Sequence, residues 1–273
     1  RMRRCCLRAV LHSGLGNWLY VAVEVSLVAA AQNCTLVLPH VLHKWFVLPP
    51  RVHRPAQQAR RCREVRSMQE ASSRAAVRQR VVEATGASSF DAARAQTFRE
   101  LFWRPRAALA PPVAFRTAVH LRTYSDVACH TYGNIRDCNR ACLREEALEC
   151  VVANAVPPVL VLSDSAIAGA RLVRMFAERG VRDVFDESVV VDARNHSALS
   201  HRAAYQTLRL WTAFSGAERR FASGVSTFSK SALLSRGPGA ADFVLDTRCF
   251  KAHPSDGDLY TCRSASLSRD LVR

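Results

Sequence analysis

The stretch "AVHLRT", Ala118 to Thr123, sets His120 and Arg122 two residues apart. In a strand such residues share a face, so imidazole and guanidinium project together while Val119 and Leu121 pack the other way. A guanidinium stays charged at any working pH and can grip a diphosphate through paired hydrogen bonds. A surface salt bridge is the plainer use of such an arginine. A second stretch, "RFASGVSTFSKSA", runs from a strand into Ser226, Thr227 and Phe228 and then directly into a helix. Hydroxyls and N–H groups at a helix start make an anion seat, or an ordinary N-cap. Asp164 ends a further strand in "VLVLSDS", where it can accept hydrogen bonds from a base or ribose, or cap the next helix. The last candidate is the turn Gly14-Leu15-Gly16-Asn17, whose backbone N–H groups can face an anion at a helix start. A nicotinamide fingerprint would need a third glycine where Leu19 stands, and an acid after the second strand that "TLVLPH" lacks. Dinucleotide binding of that kind is excluded.

These residues need strands and helices to place them, and the chain alternates accordingly. Cys5 to Leu11 reads as strand, Asn17 to Ala31 as helix and Thr35 to Leu38 as strand, a β-α-β unit with parallel strands and a right-handed crossover. Trp18, Val21, Val25 and Val28 fall on one helical face, with Glu24 as the helix's charged residue. Residues 51–106 carry thirteen arginines against five acids and read as helices joined by mobile loops, with "TFRELFWRP" as an amphipathic anchor. Pro111-Pro112 marks a boundary. Beyond it, "VAFRTAVHL", "VLVLSDS", "SVVVDAR" and "RFASGV" read as strands. Helices follow at Ile167–Arg179, ended by Gly180, at His201–Arg219, and through "TFSKSALLSRG". The natural reading is an α/β chain of two Rossmann-like domains, 1–110 and 111–273, the first lean and compatible with a truncated start.

Composition narrows the classes. The 273 residues are 49% hydrophobic, enough for a substantial core, and carry a net charge of +16, almost all of it arginine. Such a field favours anions: nucleotides, acidic glycans or membrane headgroups. No helix-turn-helix, zinc finger or RNA-binding signature accompanies it, so nucleic acid is not an expected partner. The ten cysteines lack paired C-x-x-C knuckles and no Asp-x-Asp metal motif is obvious, so no metal site is expected. Cys249 and Cys262 bracket a polar loop that a disulfide could close, and Asn33 and Asn195 begin glycosylation sequons. These features lean towards a secretory lumen, Golgi or endoplasmic reticulum. The longest apolar stretch, Val21 to Ala31, is too short to span a bilayer, so any membrane anchor would lie outside this chain.

Taken in order, the Gly-Leu-Gly-Asn turn with its helix and "TLVLP", the His-x-Arg strand and the late Ser-Thr-Phe turn resemble the fucosyltransferase-like glycosyltransferases of GT-B type. That group includes protein O-fucosyltransferases, α1,6-fucosyltransferases and xyloglucan fucosyltransferases. The resemblance spans about residues 6 to 235, on short motifs separated by unlike sequence. It implies two Rossmann-like domains facing a central cleft, the first on the acceptor side and the second binding the nucleotide sugar. It further implies metal-independent, inverting transfer of L-fucose from GDP-fucose to a glycan or protein hydroxyl, with no cofactor. Arg122 would be the catalytic contact to the diphosphate. His120, Ser226, Thr227 and Phe228 would bind the donor beside it, with Asp164 added to that set by its own strand-end position, and Gly14, Gly16 and Asn17 would form the turn facing the cleft. An inactive sugar-nucleotide or glycan binder on the same scaffold, or a basic polyanion-binding protein, is the alternative.

Overall fold

The computed structural model describes residues 5–10, 15–50, 52–53, 62–65, 75–102, 104–111, 113–122, 145–188, 201–223, 226–236, 241–245 and 263–264. The chain divides into two compact units, Arg1–Ala110 with Leu234–Gly237, and Pro111–Leu233 with Pro238–Arg273.

The first unit opens with β1 (Cys6–Ala9), α1 (Leu15–Ala31) and β2 (Thr35–Val37), and the two strands are parallel, Cys6 opposite Thr35 and Arg8 opposite Val37. There follow α2 (His40–Trp45), β3 (Val52–His53), β4 (Arg63–Val65), α3 (Ala75–Thr85) and α4 (Phe90–Phe102). The sheet order is β3-β2-β1-β4, all parallel. Residues 51–106 thus contribute two short strands that the expected helices-and-loops pattern omitted. Each is only two or three residues long, too short for alternation to register.

Helix α1 also differs from its expected single buried face. Every residue from Leu19 to Ala29 is buried, while Trp18 is partly exposed. The helix lies on the sheet and is covered by α3 and α4, so it has no solvent face, as a helix apolar all round requires. Its buried Glu24 is met by Arg94 of α4, Nε to Oε1 at 2.6 Å. The expected anchor is seen in α4, where Phe98, Leu101 and Phe102 are fully buried and Phe98 meets Tyr20 edge-on at 4.7 Å. Disulfides Cys5–Cys34 and Cys6–Cys62 staple the first strand to the chain entering β2 and β4.

The second unit contains β5 (Thr117–Leu121), α5 (Glu145–Asn154), β6 (Val159–Ser163), α6 (Ala166–Glu178), β7 (Val184–Asp186), α7 (His201–Gly216), β8 (Arg219–Ser223), α8 (Thr227–Arg236), β9 (Asp242–Leu245) and β10 (Arg263–Ser264). Its sheet order is β10-β9-β8-β5-β6-β7, parallel except for β10. Strands β5 and β6 are buried along their whole length, as central strands of a covered parallel sheet should be. On one face Val119 and Leu121 pack with Leu148 and Val151 of α5 and Leu172 and Phe176 of α6. Val184–Asp186 forms a strand that the sequence reading did not include, paired with β6, while the strand expected in "SVVVDAR" lies, apart from Ser188, outside the described residues.

Strand order decides where this unit can admit a ligand. The chain moves from β5 through β6 to β7 in one direction, then returns to lay β8 and β9 on the other side of β5. The direction of winding therefore reverses between β5 and β8. At such a switch point the connecting segments part and leave a crevice outside the carboxyl ends of the strands.

Candidate donor site

Three of the four sequence candidates arrive at that edge. His120 and Arg122 belong to the end of β5, Asp164 follows β6, and Ser226, Thr227 and Phe228 follow β8. These strands are neighbours in the order β8-β5-β6, with His120 paired to Ala222 on one side and to Leu162 on the other. Adjacent parallel strands lie about 4.8 Å apart, so their ends open on one common edge.

Arg122 and Asp164 meet directly. A guanidinium Nη1 donates to Asp164 Oδ2 at 2.7 Å, with the arginine side chain 20% exposed and the aspartate 5%. The aspartate is thus a nearly buried brace for an arginine that still reaches solvent. Sequence left Asp164 open as a helix cap, but Ser165 takes that post, its hydroxyl accepting from the Ala168 N–H. The chain separates Arg122 from Asp164 by 42 residues, so no spacing rule reveals the pair. The available signal was that both close adjacent strands.

His120 faces away from the Val119–Leu121 core and packs against aromatic rings, Phe228 at 4.9 Å and Phe214 of α7 at 6.3 Å. The Phe228 contact ties the β5 end to the first turn of α8. Burial first, and the nearby Arg122 charge second, push the His120 pKa down to about 3. The ring is therefore neutral at physiological pH, and its buried Nδ1 has no hydrogen-bond partner among the described residues. A neutral imidazole can donate from one nitrogen and accept at the other.

The bend into α8 is tightly built. Ser226 is buried, its N–H donates to Ser223 O at 3.0 Å, and its carbonyl accepts from Lys230 N–H at 3.0 Å. The Ser229 hydroxyl bonds back to Ser223 O at 3.2 Å. Thr227 and Phe228 occupy the first turn of α8, where backbone N–H groups lack intrahelical partners and the helix dipole is positive. Trp211 of α7 is locked behind this turn, Nε1 donating to Ser231 Oγ at 2.9 Å. The edge thus offers a held guanidinium, a neutral imidazole and a helix N-terminus. Together they suit a phosphorylated ligand.

The remaining candidates belong to the first unit. Gly16 and Asn17 fall inside the first turn of α1, which begins at Leu15, two residues earlier than expected. Gly16 is buried there, and Gly14 lies outside the described residues, as does the Cys249–Cys262 loop. No cluster of three or more metal-ligating side chains occurs among the described residues. No described helix is long and apolar enough to cross a membrane.

No family model matches the chain, and no curated protein matches it. Solved structures do. A mutant of Arabidopsis thaliana FUT1, solved in complex with GDP, aligns over 89% of this chain and 71% of its own at 14% identity, with a TM-score of 0.51. Fucosyltransferase NodZ from Bradyrhizobium aligns over 90% of this chain and 98% of its own, at 14% identity and a TM-score of 0.46. The chain has a fucosyltransferase-like α/β fold. This agrees with the fold class read from the order of the motifs.

Proposed function

We propose that the chain is a glycosyltransferase that moves L-fucose from GDP-fucose to a hydroxyl of a glycan or protein, with inversion at the anomeric carbon. The observation that carries this reading is the gathering of Arg122, Asp164, His120 and the Ser226–Phe228 turn at the switch point of a fucosyltransferase-like fold. The arabidopsis neighbour is a complex with GDP, and a NodZ crystal was soaked with GDP-fucose. In this reading the acceptor oxygen attacks C1 of fucose from the face opposite the diphosphate. The bond from C1 to the β-phosphate oxygen breaks, GDP leaves with the electron pair, and the acceptor hydroxyl gives up its proton to solvent or to the departing diphosphate. Negative charge grows on the β-phosphate as that bond lengthens. Groups already aimed at that oxygen stabilise the transition state without reorganising.

Arg122 is assigned that task. Asp164 holds the guanidinium so that its remaining N–H groups stay fixed in direction, and is a positioning residue. This departs from the direct contact to base or ribose expected of a strand-end acid, because one oxygen is already engaged by Arg122. His120, neutral and unable to add a charge, donates one hydrogen bond to the nucleotide. The α8 N-terminus and the hydroxyls of Ser226 and Thr227 bind the second phosphate, and Phe228 borders the nucleotide. Gly14, Gly16 and Asn17 are assigned to the acceptor side. Cationic side chains supply the charge stabilisation that a divalent cation would otherwise provide, so turnover should survive EDTA. The disulfides support placement in a secretory lumen.

The direct test is a panel of nucleotide sugars scored for donor hydrolysis without acceptor, then for transfer to glycan and peptide mixtures. GDP-fucose should be turned over in preference to UDP- and CMP-sugars. Tight GDP binding with no turnover of any donor would replace the enzyme by a binding protein on the same scaffold.

A further inference from the structure

Helix α1 ends in a turn that the donor chemistry does not use. Asn33 stands just beyond the helix with a φ of 51°, in the left-handed region that asparagine tolerates better than most residues with a Cβ. Backbone bonds close the turn. Cys34 N–H donates to Ala29 O at 2.8 Å and Asn33 N–H donates to Ala30 O at 3.2 Å, the paired bonds of a Schellman cap. The cap needs no side-chain bond, and Asn33 is exposed. Asn33, Cys34 and Thr35 also spell Asn-x-Thr, the acceptor pattern for an N-linked glycan. The turn accounts for the asparagine and the strand start for a β-branched residue at 35; glycan acceptance asks for both at this spacing.

Position makes a glycan tolerable here. Helix α1 starts beyond the carboxyl end of β1, at the edge where open α/β sheets take ligands, and Asn33 lies at the opposite edge, where β2 begins. The 17 residues of α1 span about 25 Å. A glycan on Asn33 is thus a helix length away from Gly16 and Asn17 and leaves that edge of the unit open.

Folding closes the acceptor. Thr35 is the first residue of β2, partly buried and opposite Cys6, and its N–H donates to Cys5 O at 2.8 Å. Cys34, between the asparagine and the threonine, is bridged to Cys5. A transferase must hold the asparagine amide and the threonine hydroxyl together in its own site. A paired strand and a closed bridge prevent that, so the acceptor is open only before β1 and β2 join.

We propose that Asn33 is an N-glycosylation site whose occupancy is decided by a race with closure of the Cys5–Cys34 bridge. The inference rests on the lumenal placement proposed above and is independent of the donor chemistry. The Asn33 amide nitrogen attacks the anomeric carbon at the reducing end of an oligosaccharide carried on a polyprenyl diphosphate. A carbon–nitrogen bond forms and the bond from that carbon to the phosphate oxygen breaks. The lipid diphosphate leaves with the electron pair, and the amide gives up one proton to solvent.

For the test, the full chain is expressed in mammalian cells behind a cleavable signal peptide. Peptide N-glycosidase in heavy-oxygen water converts each glycan-bearing asparagine to labelled aspartate, and mass spectrometry of a chymotryptic digest scores Asn33 apart from Asn195. A non-reducing map of the same material reports the Cys5–Cys34 bridge. Wild type should be labelled at residue 33 in part of the molecules. Thr35→Val keeps a β-branched strand residue and should abolish the label. Asn33→Gly keeps the left-handed turn and should remove the matching shift on a gel. Cys5→Ser leaves the acceptor pattern intact and should raise the labelled fraction towards full occupancy. A formed bridge with no label at residue 33 would overturn the site and leave the lumenal placement standing. Neither bridge nor label would overturn both. Label that persists in Thr35→Val is spontaneous deamidation and would also overturn the site. Full occupancy in wild type, or equal occupancy in wild type and Cys5→Ser, would overturn the race.

Discussion

At the scale of single residues, the distinction between Arg122 and Asp164 is between touching the leaving group and aiming the group that touches it. Arg122→Ala should lower turnover about 10²- to 10³-fold, the usual cost of one preorganised donor at a developing anion. Asp164→Asn keeps the shape and removes the brace's charge. It should lower kcat about ten-fold while GDP affinity changes less than about three-fold, since orientation matters most in the transition state. Equal losses in kcat and GDP affinity would contradict the positioning role. His120 offers a separate check through stability. Its folded pKa of about 3 lies below the ordinary value of 6.5. Between those values the unfolded chain binds a proton there that the folded chain does not, so stability is lost as pH falls through that window. The loss is at most about 1.4 kcal/mol per pH unit. Comparing denaturation at pH 7 and pH 5, His120→Gln should show a smaller acid loss than wild type. The same pH dependence in both would place the titration elsewhere.

At the scale of elements, two contacts in the second unit set how firmly the donor edge is built. Arg220 on β8 is paired in register with Asp242 on β9, its Nε to Oδ1 at 2.8 Å, and both side chains are buried. Asp242→Ala would strand the guanidinium in the core and should cost about 3–5 kcal/mol in a denaturant titration. Gly169 in α6 is a close approach: a Cβ there would collide with the Ser188 hydroxyl and press on Asp186 Oδ1 at 3.1 Å. Gly169→Ala should therefore destabilise by about 1–3 kcal/mol, against the ~1 kcal/mol that helix propensity alone would gain. A stabilised Gly169→Ala protein would mean Ser188 moves aside freely. The same scale explains what could be read from sequence. The β-α-β opening and the His-x-Arg strand were legible because alternation and helical period are local. The strand at Val184–Asp186 and the short β3 and β4 were not, because pairing with a distant neighbour selects them. Asp164 was found as a strand-end acid, yet its bond to Arg122 depends on strand order. Helix α1 was misjudged as one-sided because the helices that cover it come more than forty residues later.

For the whole molecule, the +16 charge and the disulfides carry the testable content. Cys150 is disulfide-bonded as well, so the bridges that involve described residues consume at least six of the ten cysteines. Thiol titration of protein from a secretory host, unfolded without reductant, should therefore find no more than four free thiols. Ten would contradict the oxidised state and the lumenal placement. Closing loops of 29 and 56 residues contributes about 3–4 kcal/mol each, so reduction should lower the melting temperature of the first unit. The positive field speeds the arrival of any anion, but only the donor edge should tell nucleotides apart. Calorimetric titration of wild type and Arg122→Ala with GDP, UDP and CMP at one salt concentration tests that most directly. The expected result is GDP binding at least ten-fold tighter than UDP or CMP in the wild type, with about ten-fold or greater loss of GDP affinity in the variant. Equal affinity for all three nucleotides, or unchanged GDP binding by Arg122→Ala, would contradict a nucleotide-sugar site at this edge.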